Sequence, residues 1–385
     1  MAEPLIKGPA IKGWCPGALR PMESGDGWLV RIRPPMGELT PDQAQGVAKA
    51  ALAHGNGVID LSSRANLQLR GVREGAHAAL IDDLRALGLV DADEVAEAAR
   101  NIVITPFRDE MGYTEQLVHA LTVALAGLRG LPGKFGFAVD TGAHPVLGGV
   151  SADIRLESGA DGGLILRPDG HALGRPVTPE NAVSETVLMA HWFLAQGGVQ
   201  DGRGRMAALI ARGVIPHSCT EAPAAPLPAP MPGLCADGAL VALTFGQMRA
   251  ETLAVLAACD HILRLTPWRM ILMLGARFLL DHPDLITHAD DPLLRVTACT
   301  GAPGCLQALG PTRAVARALA PDVAGHLHVS GCAKGCAHPG PTDTTLVATP
   351  DGYDLIRRGK ACDTPHLRGL LPNQIADAMK VHHAT

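Results

Sequence analysis

Leucines alternate with polar residues in the N-terminal part of the chain, and two mostly apolar runs precede them. The runs are residues 27–33 and 57–61, and in residues 66–71 the leucines alternate with Gln68 and Arg70. Alternation with a period of two is typical of a strand with one buried face. The alanine-rich stretch after the first run begins with a Thr-Pro pair, in which threonine caps a helix and proline takes its first position. The pattern predicts strand, helix, strand and strand.

The same order of elements returns at residues 238–275. An apolar run is followed by a helical stretch at residues 248–258 and by two further apolar runs, and Gly71 corresponds to Gly275. Two copies roughly 200 residues apart indicate duplicated domains, because solenoid repeats are far shorter. Residues 216–238 separate the copies and are rich in alternating proline and alanine, which predicts a stiff, extended linker.

Each copy is followed by a longer stretch that mixes helical and strand patterns. The sequence therefore predicts a mixed α+β fold with a duplicated A–B–A′–B′ order and a pseudo-two-fold axis. The predicted boundaries are 15–80 for A, 81–215 for B, 216–238 for the linker, 239–289 for A′ and 290–385 for B′.

The composition of the 385-residue chain excludes several classes of protein. Hydrophobic residues make up 47% and charged residues 18%, which is too apolar for a disordered chain. A net charge of −5 gives no basic excess for nucleic acid, and with 3% aromatic residues stacking platforms are scarce. The apolar runs at 117–131 and 270–280 are short or contain an arginine, and the N-terminus has no apolar signal core. We expect a cytoplasmic protein that binds neither membranes nor nucleic acid.

Four cysteines near the C-terminus form two closely spaced pairs. Five residues separate Cys299 from Cys305, three separate Cys332 from Cys336, and glycines surround both pairs. Four thiolates are the ligand set of a [4Fe–4S] cluster, and small residues let the backbone approach such a cluster closely. Structural zinc is an alternative, although zinc pairs are usually two to four residues apart, and four unrelated buried cysteines are another. The remaining cysteines show no such spacing and are expected to be packed or surface thiols: Cys15, Cys219, Cys235, Cys259 and Cys362.

The two cysteine pairs with their glycines resemble the cluster motif of the sulfite and nitrite reductase superfamily. Further segments resemble superfamily motifs in the same order, namely residues 31–34, 61–69, 100–103 and 131–136. The resemblance covers nearly the whole chain. It implies a duplicated layout with two ferredoxin-like half-domains, and a [4Fe–4S] cluster bound by Cys299, Cys305, Cys332 and Cys336.

One of the positions that surround the reacting anion in the reductases differs in this chain. Two arginines and two lysines bind the anion above a sirohaem in that superfamily, and the matching positions here are Arg33, Arg100, Lys134 and Gly136. A glycine offers neither a charge nor a proton, whereas reduction of sulfite or nitrite needs many protons delivered beside an anion. The departure argues against a reductase.

Residues 15–28 and 330–339 resemble a branch of the superfamily that acts in aerobic cobalamin biosynthesis. Enzymes of that branch use O2 to hydroxylate C20 of precorrin-3A, and a ring-A acetate closes a γ-lactone. The resemblance implies an iron–sulfur monooxygenase with a [4Fe–4S] cluster, a mononuclear non-haem iron and an external electron donor. The alternatives are a sulfite or nitrite reductase that binds sirohaem, and a tetrapyrrole carrier or zinc-stabilised scaffold without catalytic activity.

Sirohaem and precorrin-3A both carry a fringe of acetate and propionate groups, so a pocket for either needs convergent cations and hydrogen-bond donors. Four candidates, from Arg64 to Arg70, are expected to share one strand face by their period of two. Lys334 lies between two cluster cysteines. The predicted substrate-binding residues are Arg33, Arg64, Asn66, Gln68, Arg70, Arg100, Lys134 and Lys334.

The mononuclear iron has no evident ligand motif in the sequence. Two histidines and a carboxylate often hold such an iron. None of the 16 histidines forms such a pattern. His326 and His328 alternate just before Cys332 and are expected to share a strand face, and His338 follows the cluster motif. We assign no iron ligands and no catalytic residues from the sequence.

Overall fold

The computed structural model describes residues 16–108, 112–142 and 144–380, so Cys15 lies outside the described residues. The chain forms two compact units, the larger with residues 16–22 and 29–287 and the smaller with residues 288–380 and a short N-terminal stretch, Glu23–Trp28. The predicted domain boundaries stay a prediction. In the described part of the chain, no helix has the length and apolar character that crossing a membrane requires.

The helices, numbered along the chain, are α1 (Pro41–His54), α2 (His77–Ala86), α3 (Glu94–Ala99), α4 (Tyr113–Ala126), α5 (Ala182–Ala195), α6 (Met206–Ala211), α7 (Ala250–Ala258), α8 (Arg313–Leu319) and α9 (Pro372–Lys380).

The first repeat copy forms strand, helix, strand and strand as the pattern predicted. Thr40 Oγ1 accepts a hydrogen bond from the Gln43 N–H (3.2 Å), and Gln43 Oε1 accepts one from the Thr40 N–H (3.0 Å), so the predicted helix cap is confirmed as a capping box. The strands of this copy are β1 (Met22–Ser24), β2 (Gly27–Ile32), β3 (Glu38–Leu39), β4 (Val58–Leu61) and β5 (Leu67–Val72).

The second copy repeats this arrangement and adds one short strand. Its strands are β11 (Gly233–Cys235), β12 (Gly238–Leu243), β13 (Gln247–Arg249), β14 (Leu263–Leu265), β15 (Met270–Leu274) and β16 (Leu285–Ile286). Even the turns repeat. Met36 and Phe245 each have a φ of 56° before a left-handed glycine, and Ala65 (55°) matches Arg269 (62°). The internal duplication predicted from the sequence is confirmed.

The two copies exchange a strand. One sheet has the order β1-β2-β5-β4-β13, and the other has the order β11-β12-β15-β14-β3, with β16 beside β12. Thus β13 of the second copy pairs with β4 of the first, with Gln247 opposite Asp60. In the reciprocal pair, β3 of the first copy lies beside β14 of the second, with Glu38 opposite Arg264. Neither sheet is complete without the other copy.

Two further sheets share one topology, with orders β10-β9-β8-β7-β6 and β17-β18-β19-β20-β21. In each, the first three strands along the chain are parallel and the last two are antiparallel. The strands are β6 (Ile102–Ile104), β7 (Phe137–Asp140), β8 (Ile154–Ser158), β9 (Leu164–Pro168) and β10 (Arg175–Val177), and β17 (Val296–Ala298), β18 (Leu327–Ser330), β19 (Thr342–Thr349), β20 (Gly352–Gly359) and β21 (Leu367–Leu370). Mixed α+β architecture and a duplicated order are therefore both observed.

The exchanged strand β3 brings a carboxylate to the largest fully buried side chain of the described residues, Arg264. Arg264 Nε donates to Glu38 Oε1 (2.7 Å), and Nη1 donates to the carbonyls of Pro106 and Arg108 (both 2.9 Å). Arg108 Nη2 donates to the same Glu38 oxygen (2.6 Å). Burial lowers the pKa of Arg108 to about 10, with Arg264 adding to the effect and Glu38 opposing it. Two guanidinium groups therefore share one carboxylate and join β14, β3 and the loop after β6.

We predict that Arg264→Met lowers the free energy of unfolding by about 3–5 kcal/mol, because removing one member of a buried ion network leaves its partners unsatisfied. Urea denaturation measures this loss. Arg277→Met is the matched control, since Arg277 is exposed and, among the described residues, donates only to the Ala236 carbonyl (3.2 Å). Equal unfolding midpoints for the two variants would contradict the prediction.

Candidate functional site

The two cysteine pairs begin at the ends of neighbouring parallel strands. Cys299 follows β17 directly, and Cys332 comes two residues after β18. The strands are in register, and the Cys299 N–H donates to the Val329 carbonyl (3.3 Å). Because the carboxyl ends of parallel strands lie at one edge of a sheet, this topology brings the pairs together. Burial raises the pKa of the Cys336 thiol. The other three cysteines raise this pKa further, and the Lys334 ammonium lowers it. The three cysteines therefore lie close enough to Cys336 to interact with it electrostatically.

The backbone around the cysteines is shaped by glycines. The Gly331 N–H donates to Cys299 Sγ (3.1 Å), and a Cβ on Gly331 would lie 2.7 Å from the Ala308 Cβ. Gly301 and Gly335 have φ values of 69° and 62°, which side-chain-bearing residues rarely adopt. Four thiols, one of which accepts a backbone N–H, fit the donor set of a [4Fe–4S] cluster.

The N-terminal hairpin packs on the loop of the first cysteine pair. Ser24 Oγ donates to the Gly304 carbonyl (2.7 Å), and the Gly25 N–H donates to the same oxygen (3.3 Å). A Cβ on Gly25 would lie 2.0 Å from the Pro303 carbonyl oxygen, so only glycine fits there. Ser24 and Gly25, which belong to a segment that was singled out in the sequence, thus contact the cysteine loop.

Three histidines meet next to the second cysteine pair. The rings of His326 and His328 both contact His338, with centroid distances of 4.8 and 5.9 Å, so the predicted shared face is observed. Burial and His338 together lower the pKa of His326. Across residues 16–108, 112–142 and 144–380, however, no three His, Cys, Asp or Glu side chains are placed to hold one metal ion. The described residues therefore do not fit a mononuclear iron.

A cavity of about 270 Å³ in the larger unit collects part of the predicted substrate-binding set. Arg33, Asn66 and Arg100 line it, together with an apolar wall that includes Ile102 and Ile104. Sequence reasoning missed three further polar lining residues, Asp91, His119 and Thr122. His119 and Thr122 lie one turn apart on α4 and therefore on the same helix face. This spacing was the only sequence signal that could have indicated a shared site.

Both cavity arginines are held by carboxylates. Arg33 Nη1 lies 3.1 Å from Glu97 Oε1, and both side chains are buried. Glu97 also accepts from the N–H groups of Ala18 and Leu19. Arg100 donates through Nε and Nη2 to the two carboxylate oxygens of Asp91, each at 2.9 Å. In the absence of a ligand, each of the two cavity arginines is thus neutralised by a carboxylate of the chain.

Two of the remaining predicted residues pair with side chains outside the cavity lining. Gln68 Oε1 accepts from Arg31 Nε (3.1 Å), and Arg70 Nη1 donates to buried Asp60 Oδ2 (3.0 Å). Asp60 Oδ1 in turn accepts from Gln247 Nε2 (2.9 Å) of the exchanged strand. These contacts hold the sheet together.

The expectation that the residues from Arg64 to Arg70 share one strand face is wrong at its N-terminal end. Strand β5 begins at Leu67, and Ala65 has a φ of 55°, so Arg64 and Asn66 lie in the preceding turn. Arg64 Nη2 donates to the Lys134 carbonyl (3.2 Å), which brings two predicted segments together. The side chains of Lys134 and Lys334 are exposed, and their contact with substrate stays a prediction.

Gly136, where the reductases carry a lysine, is buried and closely surrounded. Its N–H donates to Asp153 Oδ2 (2.9 Å), and a Cβ there would lie 2.8 Å from Asn101 Nδ2. That Asn101 amide donates to the Phe135 carbonyl (2.8 Å). A lysine at position 136 would displace Asn101 and break this buried hydrogen bond. The packing around position 136 therefore favours the glycine that distinguishes this chain from the reductases.

The first α/β sheet has no cysteine at the positions that match the cluster motif. The Thr105 N–H donates to the Val139 carbonyl (2.9 Å) just as Cys299 does to Val329, and Asp140 takes the place of Ser330. Asp140 Oδ2 accepts from the N–H groups of Val146 (2.7 Å) and Leu147 (2.6 Å). Its Oδ1 is buried without a hydrogen-bond partner among the described residues, and burial raises the pKa of Asp140 to about 6.

Comparison with known proteins agrees with this geometry. Residues 20–87 match the family described as nitrite/sulfite reductase ferredoxin-like half domain. The structure of the Mycobacterium tuberculosis NirA protein matches with a TM-score of 0.61 at 16% identity, covering 91% of this chain and 79% of that one. A precorrin-3B synthase from Sinorhizobium sp is 31% identical over 413 aligned residues, covering 92% of this chain and 84% of that protein.

The fold is therefore that of the sulfite and nitrite reductase class, as the sequence predicted. Within that class, the chain belongs to the precorrin-3B synthase family and is an oxidoreductase.

We predict that Asp140 makes folding pH-dependent. The pKa is about 6 in the folded state and near the ordinary value of 3.8 for an aspartate when unfolded, so the folded state binds the extra proton. Stability from this group is full below pH ~4 and falls by about 3 kcal/mol as the pH rises through 6. Asp140→Asn, measured by urea denaturation from pH 4.5 to 7.5, should gain stability over the native chain as the pH rises.

Asp161→Asn is the control, since Asp161 is exposed and accepts a backbone N–H from Gly163 (2.9 Å). An Asp140→Asn curve parallel to that of the native chain would show that this carboxyl ionises freely in the fold.

Proposed function

We propose that the chain is a precorrin-3B synthase that uses O2 to hydroxylate C20 of precorrin-3A, with closure of a γ-lactone by a ring-A acetate, in aerobic cobalamin biosynthesis. The relative named precorrin-3B synthase, aligned over 92% of this chain, supports the substrate. The structural observation that carries the choice between hydroxylation and anion reduction is Gly136. A buried glycine without room for a side chain cannot deliver protons to sulfite or nitrite.

The cavity of the larger unit supplies two of the cations that a carboxylate-fringed tetrapyrrole needs. Arg33 and Arg100 converge on it, and Asn66 adds a polar lining residue. Planar guanidinium groups meet carboxylates with two hydrogen bonds at once. The apolar wall suits the ring face of the substrate. We assign Arg100 to a substrate carboxylate, and Arg33, which is paired with buried Glu97, to the positive lining of the same cavity.

The four cysteines would hold a [4Fe–4S] cluster, which supplies one-electron transfer when bound. In the balanced reaction, one atom of O2 enters the substrate and the other leaves as water, with two electrons from an external donor and two protons. We infer a separate donor because no G-x-G-x-x-G nucleotide motif occurs in the chain.

The reaction is tested with protein purified without oxygen, precorrin-3A, a chemical reductant and ¹⁸O2. We expect a hydroxylated lactone that carries one ¹⁸O atom at C20. Absence of ¹⁸O from the product while the iron–sulfur absorption persists would rule out the hydroxylase. Bound sirohaem with turnover of sulfite or nitrite would establish the reductase instead.

We predict that Cys332→Ser reduces iron and acid-labile sulfide from about four of each per chain to near zero, since four thiolates are needed to hold the cluster. The matched control is Cys259→Ser, because Cys259 lies at the end of α7 and its thiol donates to the Val255 carbonyl of its own helix (3.5 Å). Elemental analysis of both variants decides the matter. Full iron content in Cys332→Ser would show that the ligand assignment is wrong.

A further inference from the structure

The guanidinium of Arg100 already binds a carboxylate at the cavity wall, that of Asp91. Both Asp91 oxygens accept from Arg100, one from Nε and one from Nη2, each at 2.9 Å. Both residues line the cavity, and their side chains are 16% and 15% exposed. This forked geometry is the one that an acetate or propionate would adopt on the same guanidinium.

The position of Asp91 in the chain allows its carboxylate to move away from Arg100. Asp91 lies in the irregular connection between α2 and α3, outside both helices. By contrast, Glu97, the partner of Arg33, is on α3, is only 4% exposed, and also holds the N–H groups of Ala18 and Leu19. Releasing Glu97 would leave several buried groups unsatisfied, whereas Asp91 has a partly hydrated position at the cavity wall.

We propose that Asp91 is an internal counter-ion that a substrate carboxylate displaces from Arg100, and that Asp91 thereby sets the affinity and selects for carboxylate-bearing ligands. This inference rests on the proposed function. Exchange of one carboxylate for another keeps Arg100 paired in the empty and the occupied cavity, so no half-buried cation is left alone. A neutral ligand edge cannot make the exchange and must compete against an intact ion pair, which disfavours it.

The exchange predicts a gain of affinity when the competitor is neutralised. Uroporphyrin III, a tetrapyrrole with acetate and propionate groups, serves as the probe, and quenching of tryptophan fluorescence in the full chain reports its binding. We expect Asp91→Asn to lower the Kd roughly two- to fivefold, as for loss of a partly exposed ion pair. Asp91→Ser should show the same gain, which guards against an effect peculiar to asparagine.

Two further variants separate exchange from a structural effect. Glu94→Gln makes the same change of charge in the same segment, but Glu94 is exposed and does not line the cavity, so the Kd should not change. Arg100→Gln should weaken binding, and Asp91→Asn should then bring no gain in that background. A purely structural role of Asp91 would not produce this dependence on Arg100.

The outcomes distinguish this inference from the proposed function. If Arg100→Gln weakens binding but Asp91→Asn leaves the Kd unchanged or raises it, Asp91 orients Arg100 and the counter-ion proposal is overturned. If the native chain does not bind uroporphyrin III and Arg100→Gln changes nothing, the cavity is not a tetrapyrrole site and the proposed function fails there too.

Discussion

The pair between Arg264 and Glu38 is the interaction on which the larger unit depends. Arg264 is 1% exposed and takes its carboxylate from a strand of the other repeat copy. A buried guanidinium is tolerated only when its donors are satisfied, and here Glu38 and the carbonyls after β6 satisfy them. At the equivalent position in the other sheet, Asp60 lies opposite Gln247, and Gln247 Nε2 donates a hydrogen bond to Asp60 Oδ1 (2.9 Å). Duplication has thus kept the cross-strand contact while its chemistry diverged.

This network also fixes the walls of the candidate site. The turn at Pro34–Gly37, which lines the cavity, leads directly into β3, and Leu265 lines it from the end of β14. The Met36 carbonyl accepts from Arg108 Nη2 (2.8 Å), so the loop after β6 is tied to the same turn. The cavity is therefore bounded by the segments that Arg264 and Arg108 hold together, and its shape follows from a core interaction.

The arginines of the cavity illustrate a general electrostatic condition. A site that binds anions must present cations that are partly removed from water, and an unpaired buried cation is costly. In this chain, each cavity arginine has a carboxylate of its own, one deeply buried and one near the cavity surface. The difference in burial, rather than the identity of the arginines, decides which pair can open to a ligand.

The sequence by itself determined the duplication, the α+β class, the capping of α1 and the cysteine motif, because each depends on local periodicity or spacing. It also located Gly136 as the departure from the reductase motif. Only the tertiary structure showed why position 136 has no room, through Asn101, and only it revealed the exchanged strands, since β3 and β13 are too short to be predicted. The same holds for Asp91, Glu97 and His119, which carry no motif. Their roles come from which side chains meet across separate segments, and contacts between segments distant in sequence leave no periodic trace in the chain.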